Sequence, residues 1–155
     1  MNPHSQADHP PRVLTAIVDG PLTGDREAAA LGVLGREPDS ASGLAGASMR
    51  FAGIVRRAEP RDGRGSEAHE ILALDYRTYD PMAESELRTL ARSVAERHGL
   101  LSLAALHSRG RISVGEVSFV LIVQSVHRAE ALAAIAEFID RMKQDVPIWK
   151  SPVWG

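Results

Sequence analysis

Residues 117–123 read Val-Ser-Phe-Val-Leu-Ile-Val, and no other stretch constrains the architecture as much. The run is apolar on both of its faces, so as a strand it has no side to give to water. Such a strand belongs in the middle of a sheet with packing above and below. A chain that must bury it has to build a sheet and lay helices against that sheet. The strand is expected over Glu116 to Val126.

The flanking sequence supplies the other layers. Arg12 to Asp19 reads as a first strand, broken by Gly20-Pro21, and Asp25 then caps a short helix to Leu34. Gly35 to Gly46 is a loop. Ala47 to Arg57 alternates, with Ala47, Met49, Phe51 and Val55 on one side and Ser48, Arg50 and Arg56 on the other, as a half-buried strand does. Glu59 to Ser66 is a charged, flexible loop, and Glu70 to Tyr79 is a strand. Asp80 caps the next helix with Pro81 in its first turn. The apolar stripe of that helix is Leu87, Leu90, Ala91 and Val94, and Gly99 closes it. Leu100 to His107 is a short strand, and Ser108-Arg109-Gly110 turns the chain. The last helix spans Arg128 to Asp145 with Leu132, Ile135, Ile139 and Met142 toward the core, and Val146-Pro147 ends it. The order β-α-β-β-α-β-β-α gives an α+β fold, a single domain over 12–155 with a mainly antiparallel sheet and packed helices. Residues 1–11 are a polar, disordered leader.

Composition removes several function classes. A formal net charge of −2 supplies no basic field for nucleic acid. No apolar run approaches a membrane span, and the first residues hold no signal-peptide core. The chain has no cysteine, which fits a cytoplasmic location and leaves no disulfide, thiolate metal ligand or cysteine nucleophile. The six histidines form no i, i+4 pair and no HExxH, so no metal site is expected. Glycine-rich nucleotide loops and a nucleophilic serine elbow are also absent.

Of the 18 basic residues, 16 are arginine; the two lysines, Lys143 and Lys150, lie seven apart near the end of the chain. A sequence this biased toward guanidinium keeps an ammonium where the charge must be able to lose a proton. Ile148 and Trp149 are expected to pack down and fix Lys150, so that both amines meet one anionic substrate and one acts as acid or base. The alternative is that Trp149 plugs the core and the lysines face water.

Two further segments suit anions. At Ser125-Val126-His127-Arg128 a buried strand hands over to a helix whose first turn offers free N–H groups, and His127 and Arg128 add donors for a phosphate. The alternative is His127 as a cap and Arg128 as a solvated residue. Arg56, Arg57, Arg61 and Arg64 form a second basic cluster, suited to phosphate or to an acidic partner face, or simply to water.

Several of these segments together resemble a known family. Gly46 to Arg56 (GASMRFAGIVR) is similar to the GAxxxFxGxVR motif of the large, catalytic subunit of molybdopterin synthase. Leu74 to Ala83 (LDYRTYDPMA) resembles its LxYExYxxMA, and His107 to Glu116 (HSRGRISVGE) its HRxGxxxxGE. Ser125 to Arg128, then Lys143 and Pro147-Ile148-Trp149-Lys150, resemble its C-terminal signature. The likeness extends over Arg12 to Lys150.

The resemblance implies an α/β-hammerhead-like fold and an enzyme of molybdenum cofactor biosynthesis. This sulfurtransferase converts precursor Z, a cyclic pyranopterin monophosphate, to molybdopterin. The sulfur arrives as the C-terminal Gly-Gly thiocarboxylate of a ubiquitin-like small subunit, which suits a chain without cysteine, and no cofactor is implied. The implied assembly is a homodimer of large subunits within a heterotetramer. Lys143 and Lys150 take the catalytic positions. Ile54, Val55, Arg56, His127, Arg128, Lys150, Ser151 and Pro152 take the substrate-binding ones, with the amines and the His127–Arg128 pair expected in one cavity. Ser108 stands where the family usually has arginine, and Arg77 where glutamate is usual. These departures leave a non-catalytic pterin-, phosphate- or small-subunit-binding paralogue as the alternative.

Overall fold

A computed structural model describes residues 10–32, 43–61 and 67–155 of the chain. The apolar run forms β6 (Val117–Ser125), hydrogen-bonded on one side to β2 (Ala47–Ile54) and on the other to β5 (Ser102–Ser113), both antiparallel. The strand is central because Phe119, Val120, Leu121 and Val123 are all buried.

β1 (Arg12–Asp19) runs parallel to β5, from Arg12 opposite Ser102 to Asp19 opposite Arg109. Beyond β1, the end of β5 pairs with β4 (Ala68–Thr78), from Tyr76 opposite Gly110 to Ala73 opposite Ser113. β5 therefore joins two sets of strands, β2-β6-β5-β1 on one side and β5-β4 with the last strand of the chain on the other. The last strand, β7 (Ile148–Trp154), is antiparallel to β4, and β3 (Ala58–Pro60) pairs with the start of β4. Among the described residues the sheet has seven strands, mainly antiparallel, with one parallel pair. The fold is a single α+β domain.

Two helices cover one face. α2 (Met82–Arg97) buries Leu87, Leu90, Ala91 and Val94, the expected stripe, together with Ala83 and Ala95. Truncating Leu87, fully buried, to alanine would cost ~2–5 kcal/mol. α3 (Arg128–Asp145) buries Ala131, Ala134 and Phe138. Ile135, Ile139 and Met142 pack at the margin of this core, but Leu132 is exposed rather than facing it. The buried face of α3 is centred on Ala131, Ala134 and Phe138, and Leu132, roughly 100° round the helix from Ala131, falls outside it. α1 (Gly24–Gly32) lies by the opposite face, where Leu22 and Ala30 meet Leu106 and Val120.

Other local expectations change for identifiable reasons. Thr23, not Asp25, caps α1, its Oγ1 accepting from the Arg26 N–H at 3.3 Å. Asp80 makes no cap on α2, because its carboxylate accepts from Thr78 Oγ1 at 2.9 Å and from Arg109. Ser108, Arg109 and Gly110 do not turn the chain, since each has a strand partner in Val18, Asp19 and Tyr76. The reversal falls later, around Gly115, whose φ of 88° suits glycine. Glu59 and Pro60 belong to β3 rather than to a loop. The expected leader lies outside the described residues except for Pro10 and Pro11, as do Arg64 and most of the 35–46 loop.

Candidate active site

The site is built where β2 ends. Gly53 approaches β6 so closely that an added Cβ would lie 3.3 Å from the Phe119 Cβ, and the register shifts between Gly53 and Ile54. The shift leaves Ile54 exposed, tucks Val55 into the core with Ile71, Leu74 and Ile112, and directs Arg56 outward. Val55 is held by its backbone, donating to the Glu116 carbonyl and accepting from the Gly115 N–H.

Glu59 stands three residues on, buried in β3. Its carboxylate accepts from Arg56 at 3.3 Å and from the Lys150 ammonium at 3.4 and 3.5 Å. A buried carboxylate is stable only with such partners. Lys150 comes from β7, directly across from Tyr76 on β4. Tyr76 shares a 3.0 Å hydrogen bond with Ser118, and its ring meets the His107 ring edge-on at 5.1 Å. Burial pushes the Tyr76 hydroxyl up in pKa; the bond to Ser118 opposes this and the charge of Glu59 adds to it. Burial also lowers the pKa of His107, partly offset by its bond to the Ser108 carbonyl. Because a carbonyl only accepts, His107 Nδ1 carries the proton there.

Lys143 lies in the last turn of α3, exposed and without an ion-pair partner among the described residues. β7 begins just after this helix, so both amines arise at the same end of the molecule. Ile148 packs against the core as expected, whereas Trp149 is 59 % exposed and plugs nothing. Trp149 alternates with Ile148 and Lys150 along the strand and so takes the outer face. Ser151 shares that outer face, opposite Asp75; half-buried Pro152 shares the inner one with Lys150.

His127 and Arg128 do not join this group within one chain. They follow Ser125, at the other end of β6 from Val117, where Ile54 pairs. The nine residues of β6 separate the two ends by roughly 26 Å at ~3.3 Å per residue. α3 runs back along the same direction, putting Lys143 roughly 22 Å from Arg128 along its axis. The single cavity expected for all four residues is therefore not formed by one copy. His127 takes the N-cap position of α3 in an extended conformation, but its ring makes no capping bond. It and Arg128 are exposed. A shallow cavity of about 210 Å³ lies elsewhere, between β1 and α2, lined by Thr15, Ile17, Glu84 and Arg88 among others.

Glu59 and Tyr76 were not among the sequence candidates. The signal for Glu59 was an acid three residues after Arg56 in an otherwise basic stretch; its burial follows only from the pairing of β3 with β4. No group of metal-ligating side chains is assembled among the described residues, and none of their helices is long and apolar enough to cross a membrane.

Residues 28–145 match the family model described as MoaE protein. Similar curated proteins are the molybdopterin synthase catalytic subunits of Rattus norvegicus and Arabidopsis thaliana. The first is 34 % identical over 113 residues, 73 % of this chain and 53 % of that protein. The second is 39 % identical over 113 residues, 71 % and 52 % respectively. The chain spans about half the length of these relatives. Among solved structures, molybdopterin synthase from Staphylococcus aureus gives a TM-score of 0.69 at 26 % identity over 90 % of both chains. A complex of subunits 1 and 2 of molybdopterin-converting factor from Helicobacter pylori gives 0.64 at 21 % identity, covering 91 % of this chain and 89 % of that one, a likeness of fold.

Proposed function

The chain belongs to the MoaE protein family, and from that premise we propose that it is the catalytic subunit of a molybdopterin synthase. It would convert precursor Z to molybdopterin with sulfur from a thiocarboxylated, ubiquitin-like small subunit, in the cytoplasm. The observation that carries this reading is the cluster at the end of β2. Arg56 and Lys150 converge on one point, and Lys143, the other of the two lysines, rises from the same end of the molecule.

Anionic groups of the substrate are held by Arg56 and Lys150, with Ile54 and Pro152 as neighbouring contacts and Val55 and Ser151 shaping the segments that carry them. The thiocarboxylate sulfur attacks a side-chain carbon of the substrate and displaces the oxygen there; water then cleaves the acyl–sulfur bond, leaving the sulfur on the substrate and a carboxylate on the small subunit. One lysine stabilises the developing negative charge and assists proton transfer; an ammonium can give up its proton for the second task and a guanidinium cannot. A second donor repeats the transfer.

His127 and Arg128 enter from a second copy. Both are exposed, and Arg128 has no ion-pair partner among the described residues. In a twofold dimer the far end of one chain can meet the near end of the other, giving two equal sites. The phosphate of the substrate then bridges the copies, seated at the start of α3 of one and beside the amines of the other.

Reconstitution with a thiocarboxylated small subunit and precursor Z, read by fluorescence of the oxidised pterin product, tests this function. Lys143→Ala and Lys143→Arg should both lose turnover by at least ~10²-fold. Near-normal turnover in Lys143→Arg would refute the need for an ammonium, and no product from the unaltered chain would refute the synthase.

A further inference from the structure

Resting on that reading, we propose that Glu59 is a positioning residue, the fixed negative point that holds the Lys150 amine and the Arg56 guanidinium at one wall of the site. The three groups differ in how freely they can move. Glu59 is pinned by the pairing of β3, where it lies opposite His69, and its side chain is only 10 % exposed. The side chains of Lys150 and Arg56 are 51 % and 74 % exposed. Two long, solvated cations therefore gather on a short, buried anion.

The distances say how tightly. At 3.3 to 3.5 Å the contacts are longer than the ~2.7–2.9 Å of a fully formed charge-assisted bond. The carboxylate thus restrains the amine without locking it, and Lys150 can lean toward an arriving anion while remaining aimed by Glu59. Tyr76 stands directly across from Lys150 on β4, within reach of the charge of Glu59. A carboxylate facing an anion-binding site also weakens the hold on anions. Its presence there fits a trade of ground-state affinity for a placed amine.

The chain offers a direct test because Lys143 and Lys150 are its only lysines. An uncharged succinimidyl ester labels both, and peptide mass spectrometry reads each rate, with Lys143, which has no ion-pair partner among the described residues, as the internal reference. Glu59→Gln, close in shape but neutral, should speed labelling of Lys150 by roughly two- to fivefold and leave Lys143 unchanged. Glu59→Asp, which keeps the charge but shortens the reach, should fall between. An unchanged Lys150 rate in Glu59→Gln overturns the proposal. Should both lysines accelerate, the variant has lost its fold and the unaltered chain decides. In about 1 M NaCl the pair is screened; a selective rise at Lys150 then supports the restraint, and equal rates at low and high salt overturn it.

Turnover supplies the second arm. In the reconstituted enzyme, Glu59→Gln should lower kcat roughly tenfold while KM for the anionic substrate also falls; a purely structural defect would lower kcat at constant KM. Labelling needs no turnover, so the two ideas fail separately. A restrained Lys150 in a chain that forms no product would sink the synthase and leave the restraint standing.

Discussion

Ser108 and Arg109 are consecutive on β5 and point to opposite sides of it. Ser108 is fully buried and its hydroxyl has no hydrogen-bond partner among the described residues. Arg109 reaches Asp19 at 2.7 Å and also Asp80. One position along a strand is a change of face, so Arg109 does not stand in for the arginine that the resembled family carries at position 108. Ser108→Ala removes an unsatisfied buried hydroxyl and should be neutral or stabilising by up to ~1 kcal/mol. Urea denaturation reads this, and a clear loss of stability would reveal a partner for the hydroxyl.

Gly46 is fixed by a carbonyl. Its N–H donates to Ser125 at 3.0 Å, and a Cβ there would lie 2.1 Å from the Val126 oxygen. Gly46→Ala must push back the segment that leads into His127 and should cost ~1–3 kcal/mol. Gly24→Ala, with nothing among the described residues within 4 Å, should change stability by less than ~1 kcal/mol in the same denaturation series.

Stability should fall in two steps as acid is added. Burial holds His107 below its ordinary 6.5, so the unfolded chain takes up that proton first. The stability due to neutral His107 is complete above pH 6.5 and is lost as pH falls toward the folded value. His107→Phe should flatten this first limb. Glu137 is held below its ordinary 4.5, chiefly by the hydrogen bond from His98 and, against burial, by Arg141 and Arg97. Its contribution is complete above 4.5 and lost only at lower pH. Glu137→Gln should therefore flatten the second limb and cost ~0.5–1 kcal/mol at neutral pH. Urea midpoints across this range check both, and a limb left unaltered by its own variant would count against that assignment.

A shared site predicts complementation. Lys150→Ala and Arg128→Ala should each be inactive alone. Refolded together, half of the dimers are mixed and each mixed dimer keeps one intact site, so roughly a quarter of full turnover should return. No recovery on mixing would mean that both residues are needed in one chain.

Much of the fold could be read from periodicity, because the stripe of α2 and the apolar run of β6 are long and unambiguous. What escaped was short or paired at a distance. β3 is three residues inside a charged stretch, and nothing local marks it as a strand. β7 contains Pro152, which argues against a strand until the strand proves to lie at an edge. Ser108-Arg109-Gly110 has the composition of a turn but is claimed by β1 and β4. The candidate residues themselves were legible from the scarcity of lysine and from the motifs. Their division between the two ends of β6 was not, since it depends on the direction in which α3 runs back over that strand.

Only Val146 and Pro147 separate the end of α3 from β7, and that joint sets the phase of everything after it. One residue gained or lost there would turn the final strand over, bringing Trp149 or Ser151 inward and sending the amine of Lys150 out into solvent. The joint tolerates length changes only in even steps, so the chemistry at this end of the molecule is guarded by parity as well as by side-chain identity.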